Sequence, residues 1–511
     1  MKNNLKVLVT RVIAGAAFAG MLYACSDQLA TDDSNLKDGS LRSADVSLLA
    51  TPVGPSTATE CTITTITANT TWSPSGNPYI LYGDVRVASG VTLTIQAGTV
   101  IRGDKASRGT LTILRGARII ANGTSTSPIV FTSNQPAGSR ASKDWGGVNI
   151  LGSAPNNQGA NVNAEGYPSC VTAPQYGGTN CADNSGVLRY VRIEYGGIPQ
   201  ATVPNSEKNG LTLYSVGSGT TIDHVQVSFG GDDAFEWFGG CVNAKYLISY
   251  RNQDDDFDTD FGYSGKVQFG IAVRDPAIND NSASNGFESD TDADGVNATR
   301  TTARFSNFTL VGPYDPACAR TVVDNASPNP RFLDGLHLRR NTGIDVYNSI
   351  ITGWRNAQVY AEPSSIVSAA SGGVALSHNT AVKPANALVP ASVCFIEPAA
   401  ANNVWTISAT NICADATACA NGGVGSMVTN SGLGTAAWTL TNPSVRPSTA
   451  TVAIQTNGTN ANALDSFFTV NETTTGATTY YRGARRFVDD NGWDFGGSWV
   501  NYDPQNAPYP N

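Results

Sequence analysis

Residues 222–262 read IDHVQVSFGGDDAFEWFGGCVNAKYLISYRNQDDDFDTDFG, and residues 284–290 read SNGFESD. One unit recurs through both: an apolar-alternating run, a Gly or Asn turn, then acid, acid, spacer, aromatic, acid. Asp232-Asp233-Ala234-Phe235-Glu236 returns 22 residues later as Asp254-Asp255-Asp256-Phe257-Asp258. A weaker copy, Asn285-Gly286-Phe287-Glu288, follows 30 residues on. The strands ahead of the acidic turns repeat too, with Val225 and Val227, then Leu247, then Val267 and Phe269. A period near 22 with two-residue alternation inside each unit is that of a solenoid in which every repeat makes one coil. The prediction is an all-β chain, a parallel β-helix.

The same alternation extends outward in both directions. On the N-terminal side, 84–87, 91–95, 99–101, 109–113, 117–120 and 128–131 alternate and break at Gly90, Gly98 and Gly103. The segment GVTLTIQAGTVIRG (90–103) resembles an entry coil of right-handed β-helices. Trp145 to Leu151 forms a further coil, then a long loop spans 152–186 before strands resume at 188–197 and 210–214. Beyond the acidic units, 305–310, 334–338 and 346–351 alternate again. About ten to twelve coils result, each rising about 4.8 Å. After 355 the period becomes ragged, and the end, GWDFGGSWVNYDP (492–504), is aromatic and Gly-rich. A solenoid exposes its last coil, so 356–511 is expected to hold irregular late coils and a C-terminal cap.

Composition narrows the setting. Charged residues are 14% of 511 and glycines number 52, which fits an all-β secreted chain. Net charge is −9, with no Lys/Arg cluster to displace counterions, so nucleic acid is excluded as a partner. Three histidines leave little room for a zinc site or a Ser/His triad. Lys2 and Lys6 precede an apolar run that ends in Leu22-Tyr23-Ala24-Cys25, the pattern of a bacterial signal peptide closed by a lipobox. Residues 1–24 are therefore expected to be removed, with Cys25 carrying lipid. Residues 25–60 form a polar tether and 61–355 the β-helix. No second apolar run is of spanning length, so the chain is read as lipid-anchored in the outer membrane, at the cell surface. Eight cysteines remain once Cys25 is set aside. Cys170/Cys181 and Cys413/Cys419 are the expected local bridges, each closing one loop; 61, 241, 318 and 394 stay unpaired on paper.

YVRIEYGG, the 231–269 stretch, NGFESD and the late TYYRGA together resemble one family. It comprises outer-membrane lipoproteins of Bacteroidota and some proteobacteria with a right-handed parallel β-helix like that of pectin lyases. The resemblance covers about residues 80–511 and is specific in 187–290. It implies the fold and a surface location, and it brings no catalytic residues to carry over.

Chemistry is read from the acids. If Phe235, Phe257 and Phe287 point inward, alternation turns Glu236, Asp258 and Glu288 outward, with Asp260 and Asp290 two residues on and His337 and Arg339 extending the stripe. Carboxylates stacked at coil spacing repel one another and need a cation or a basic partner. Oxygen ligands without His or Cys suit Ca²⁺; a carboxylate pair for glycan acid/base chemistry and a solvated face of turn formers are the other two readings. Asp290-Thr291-Asp292-Ala293-Asp294-Gly295 matches the first six positions of a calcium loop, but Thr301 stands where Glu closes an EF-hand. The candidate metal ligands are thus Glu236, Asp258, Asp260, Glu288, Asp290, Asp292 and Asp294. Lys266, Arg274, Arg339 and Arg340 are available as a lyase base. Trp237, Phe238 and Tyr263 read as packing residues before sugar platforms. The leading reading is a calcium-stabilised surface protein that binds glycan or accompanies an outer-membrane transporter. The alternative is a polysaccharide lyase or hydrolase on the same fold.

Overall fold

The structure is a computed structural model that describes residues 50–199, 206–313, 331–354 and 357–361, with short segments thereafter, the last being 499–510. The chain divides into two compact units, Met1–Asp45 and Val46–Asn511, and every described residue lies in the second.

Strand pairing follows the repeat. A ten-stranded sheet runs from Ile63–Ile66 to Ala357–Ala361, one strand per coil, with every pairing parallel. A seventeen-stranded sheet covers the rest of the circumference. The chain is therefore an all-β, right-handed parallel β-helix. In the ten-stranded sheet Leu211, Phe235, Phe257, Phe287 and Leu336 stand in one column. The Phe235 and Phe257 rings stack at 5.5 Å, those of Phe257 and Phe287 pack tilted at 5.0 Å, and all three are buried. The expected inward stack is present, and full burial of each such ring contributes roughly 1.5–3 kcal/mol.

The seventeen-stranded sheet gains its second face by bending within single strands. Tyr190, His224, Tyr246 and Phe269 sit near the middle of Gly186–Glu194, Thr221–Ser228, Asn243–Tyr250 and Lys266–Val273, with φ of 49°, 56°, 60° and 66°. A left-handed residue turns the strand, and the ladder resumes in register beyond it. Bulky side chains adopt this conformation at a cost. Here their rings stack along the solenoid at 4.4, 4.3 and 5.0 Å, which offsets part of it. The bend also breaks the alternation: Val267 faces the core, whereas Phe269, two residues on, stacks on Tyr246.

Both ends extend the expected boundaries. Thr51–Val53 already pairs in parallel with Tyr79–Leu81, so the first coil begins inside the stretch read as tether. Ala375–Ser377, Thr380–Val382 and Thr406–Ile407 continue the pairing past 355. The C-terminal residues 499–510 lie along the flank of earlier coils. Arg140 donates to the Pro504 and Ala507 carbonyls, Asn501 exchanges hydrogen bonds with Gln226, and the Tyr509 hydroxyl donates to Glu194 at 2.6 Å.

The cysteines pair differently from the local expectation. Cys61 bonds Cys170 and Cys181 bonds Cys241, so there is no Cys170–Cys181 bridge. The reason is the path of the 152–186 loop. It crosses the outer face of the ten-stranded sheet, with Val162–Asn163 paired antiparallel to Gln175–Tyr176. Each arm of the loop thus reaches a different coil and is stapled there. Cys25, Cys413 and Cys419 lie outside the described residues.

Candidate active site in the middle coils

The outer face of the ten-stranded sheet carries a column beside the Phe stack. Thr212, Glu236, Asp258, Glu288 and His337 occupy successive strands in register. The early part of this face is covered by the 152–186 loop: the Tyr167 hydroxyl meets Thr112 at 2.8 Å, and Tyr176 packs on Tyr214. The cover ends where the acids begin. There a cleft of about 800 Å³ opens, with Glu165 from the loop on one wall and Asp280, Asn281 and Ser282 on another. Twelve acidic side chains line it against Lys143, Arg339 and Arg340.

The turns entering these strands are held by a side-chain ladder. Asn209 Oδ1 accepts the Asp233 N–H (3.1 Å), Asp233 Oδ1 the Asp255 N–H (2.8 Å), Asp255 Oδ1 the Asn285 N–H, and Asn285 Oδ1 the Asp334 N–H (3.1 Å). An Asx side chain at the same turn position of each coil satisfies the amide of the next coil. Behind the ladder Arg274, 1% exposed, pairs with Asp256 at 3.0 Å and donates to the carbonyls of Asn252, Asp254 and Asn285. Arg274 is thus a buttress of the turns and does not reach the cleft as a base. Lys266 begins a strand of the other sheet.

Of the remaining cations, Arg339 pairs with Glu288 and Asp290, and Arg340 with Asp290 at 2.8 Å. Burial and those two carboxylates resolve in favour of the charge, so the Arg339 guanidinium is held above its ordinary range. Burial and neighbouring like charge raise Asp232, Asp233, Glu236, Asp254, Asp258 and Glu288 well above the usual carboxylate range. Burial and the Asp290 charge push Asp260 up to about 7.

Among the described residues, carboxylate oxygens converge within 4.8 Å in three groups: Asp232, Asp233 and Asp254; Asp233, Glu236 and Asp258; Asp255, Asp258 and Glu288. Asp258 Oδ1 is buried and has no hydrogen-bond partner. Hard oxygen donors with an uncompensated buried oxygen fit a metal ion. The 290–295 turn is built otherwise. Asp292 Oδ1 accepts the Gly295 N–H at 2.7 Å, Asp294 Oδ1 the Val296 N–H at 3.3 Å, and Asp290 faces the two arginines.

Glu236, Asp258, Glu288, Asp260 and Asp290 all line the cleft, as do His337 and Arg339. Trp237 and Tyr263 are core residues stacked at 5.4 Å, and Phe238 packs between Tyr214 and Phe261 at the cleft edge. Sequence reasoning passed over Asp232, Asp233, Asp254 and Asp255 as ligands, and over Glu165 altogether. The repeated Asp-Asp pair was the available signal for the first four; nothing in the pattern marks Glu165.

A right-handed parallel β-helix of this kind is the fold of pectate-lyase-like β-helix domains. The chain belongs to the pectate-lyase-like β-helix domain family, whose model matches residues 64–421. No curated protein and no solved structure matches the chain.

Proposed function

We propose that this protein is a polysaccharide-cleaving enzyme, a hydrolase whose cleft in the middle coils holds Ca²⁺ beside the glycan. The observation that carries the proposal is the cleft itself: an open groove of about 800 Å³ that gathers carboxylates, with Glu165 and Asp260 lying outside the groups that would hold a cation. Asp233, Glu236, Asp258, Asp255 and Glu288 would hold the cation. When bound, it neutralises these acids and offers a coordination point for sugar oxygens.

Hydrolysis is favoured over elimination by the bases at hand. Elimination needs a base strong enough to take a carbon-bound proton, and Arg339 is held in its charged form by Glu288 and Asp290. Hydrolysis needs carboxylates, and Asp260 lies in the cleft outside the three convergent groups. The Phe261 N–H donates to Asp260 Oδ1 at 2.6 Å and fixes its orientation.

The test is a panel of neutral and acidic polysaccharides with Ca²⁺, read for new reducing ends and for the absorbance of unsaturated products. New reducing ends alone support the proposal. Unsaturated products would make it a lyase, and binding without cleavage would return the protein to an accessory role. From the N-terminal sequence we also propose attachment to the outer membrane through lipid on Cys25. Cys25→Ala should then fractionate as soluble protein, and membrane retention would contradict it.

A further inference from the structure

The cleft acids differ in how they are held. Asp233 and Asp255 belong to the Asx ladder, Asn209 donates to Glu236, and Glu288 and Asp290 face arginine. Asp232 and Asp258 belong to the convergent groups. Glu165 is unlike all of these. It lines the cleft, joins none of the three groups, and its carboxylate makes no hydrogen bond or ion pair among the described residues; Glu207 shares these features, but Glu165 alone of the two comes from the disulfide-stapled loop that crosses the sheet.

Its backbone, by contrast, is fixed. The Ala164 N–H donates to the Pro174 carbonyl at 2.9 Å and the Gly166 N–H to Ser206 Oγ at 2.9 Å. The Tyr214 hydroxyl donates to the Glu165 carbonyl at 3.4 Å. On one side Tyr167 is locked under Lys208, whose Nζ lies 4.3 Å from the ring centre, and the two disulfides staple the loop to separate coils. A fixed backbone with a free side chain facing the sheet acids is the arrangement a proton donor requires. Glu165 and Glu236 line the same cleft.

We propose that Glu165 is the general acid of the cleft, which rests on the hydrolase reading above. As the bond between the anomeric carbon and the glycosidic oxygen breaks, Glu165 gives its proton to that oxygen, which leaves as a hydroxyl. Water forms the new bond to the anomeric carbon and gives one proton to an ionised carboxylate on the sheet. That proton returns to Glu165 through solvent, and no oxidant or further reactant is needed. The charged and titratable groups facing Glu165 are Glu207, Asp260, Glu236, Asp232, Tyr176 and Tyr214.

The experiment uses the full chain with disulfides intact, the polysaccharide that wild type cleaves, and a nitrophenyl glycoside of the same sugar, whose leaving group needs no proton. Glu165→Gln keeps the shape and removes the proton. Its kcat on polysaccharide should fall about a hundredfold or more with KM little changed. Turnover of the nitrophenyl glycoside should fall far less. Equal losses on both substrates overturn the assignment of Glu165 alone. A wild type that cleaves no glycan overturns the hydrolase reading and this assignment with it.

Discussion

Asp233 Oδ1 accepts the backbone N–H of Asp255, one coil on, at 2.8 Å. One oxygen of each ladder acid is thereby committed to the fold, and the other is left for the cleft. Structure and chemistry are joined in the same carboxylate, so substitutions can separate them. Asp233→Asn keeps the acceptor and removes the charge, and it should melt close to wild type once cation is chelated. Asp233→Ala strands the buried Asp255 amide and should cost about 1–3 kcal/mol in urea unfolding. Equal destabilisation by both would show that the charge, and not the acceptor, supports the turn.

Arg274 carries the second prediction. Its guanidinium is buried with Asp256 and satisfies three turn carbonyls. Arg274→Met leaves the buried Asp256 without its ion pair and three turn carbonyls without their donor, and should destabilise by about 3–5 kcal/mol. Urea denaturation checks the loss, and a cost within experimental error of zero would remove the buttress from the account.

The third prediction is a pH dependence. In the cation-free protein the folded state holds protons that the unfolded state releases, because Asp260 and its neighbours titrate above the ordinary carboxylate range. The folded form binds more protons over that interval, so stability falls as pH rises from about 4 to about 7. A cation replaces those protons, so its stabilising effect should grow over the same interval. Melting curves in chelator and in calcium across this range read both trends. A chelated protein whose melting temperature rises from pH 4 to 7 would contradict the sign.

Much of this was legible in the repeat. The spacing of Phe235, Phe257 and Phe287 fixes both the coil length and the inward face, and alternation then sets Glu236, Asp258 and Glu288 in one outward column, with His337 extending it. Alternation has no authority in turns, which is why Asp233 and Asp255 read as turn formers and not as cleft residues. It fails again at Phe269, where a left-handed residue resets the parity within one strand. Glu165 and the Cys61–Cys170 pairing depend on where a long loop travels over the sheet, and no local period encodes that path. The 290–295 stretch shows the converse: the spacing is that of a calcium loop, yet Asp292 and Asp294 accept hydrogen bonds from their own turn.

The central claim is that carboxylates of the middle coils form a cation site, and calorimetric titration of calcium into chelator-treated protein at neutral pH tests it without knowledge of the glycan. Wild type should bind. Asp258→Asn, which removes the charge shared by two of the convergent groups, should weaken binding about tenfold or more, an effect of at least about 1.4 kcal/mol. Asp292→Ala should leave the isotherm unchanged. No binding by wild type, or binding lost in Asp292→Ala and retained in Asp258→Asn, would contradict the account.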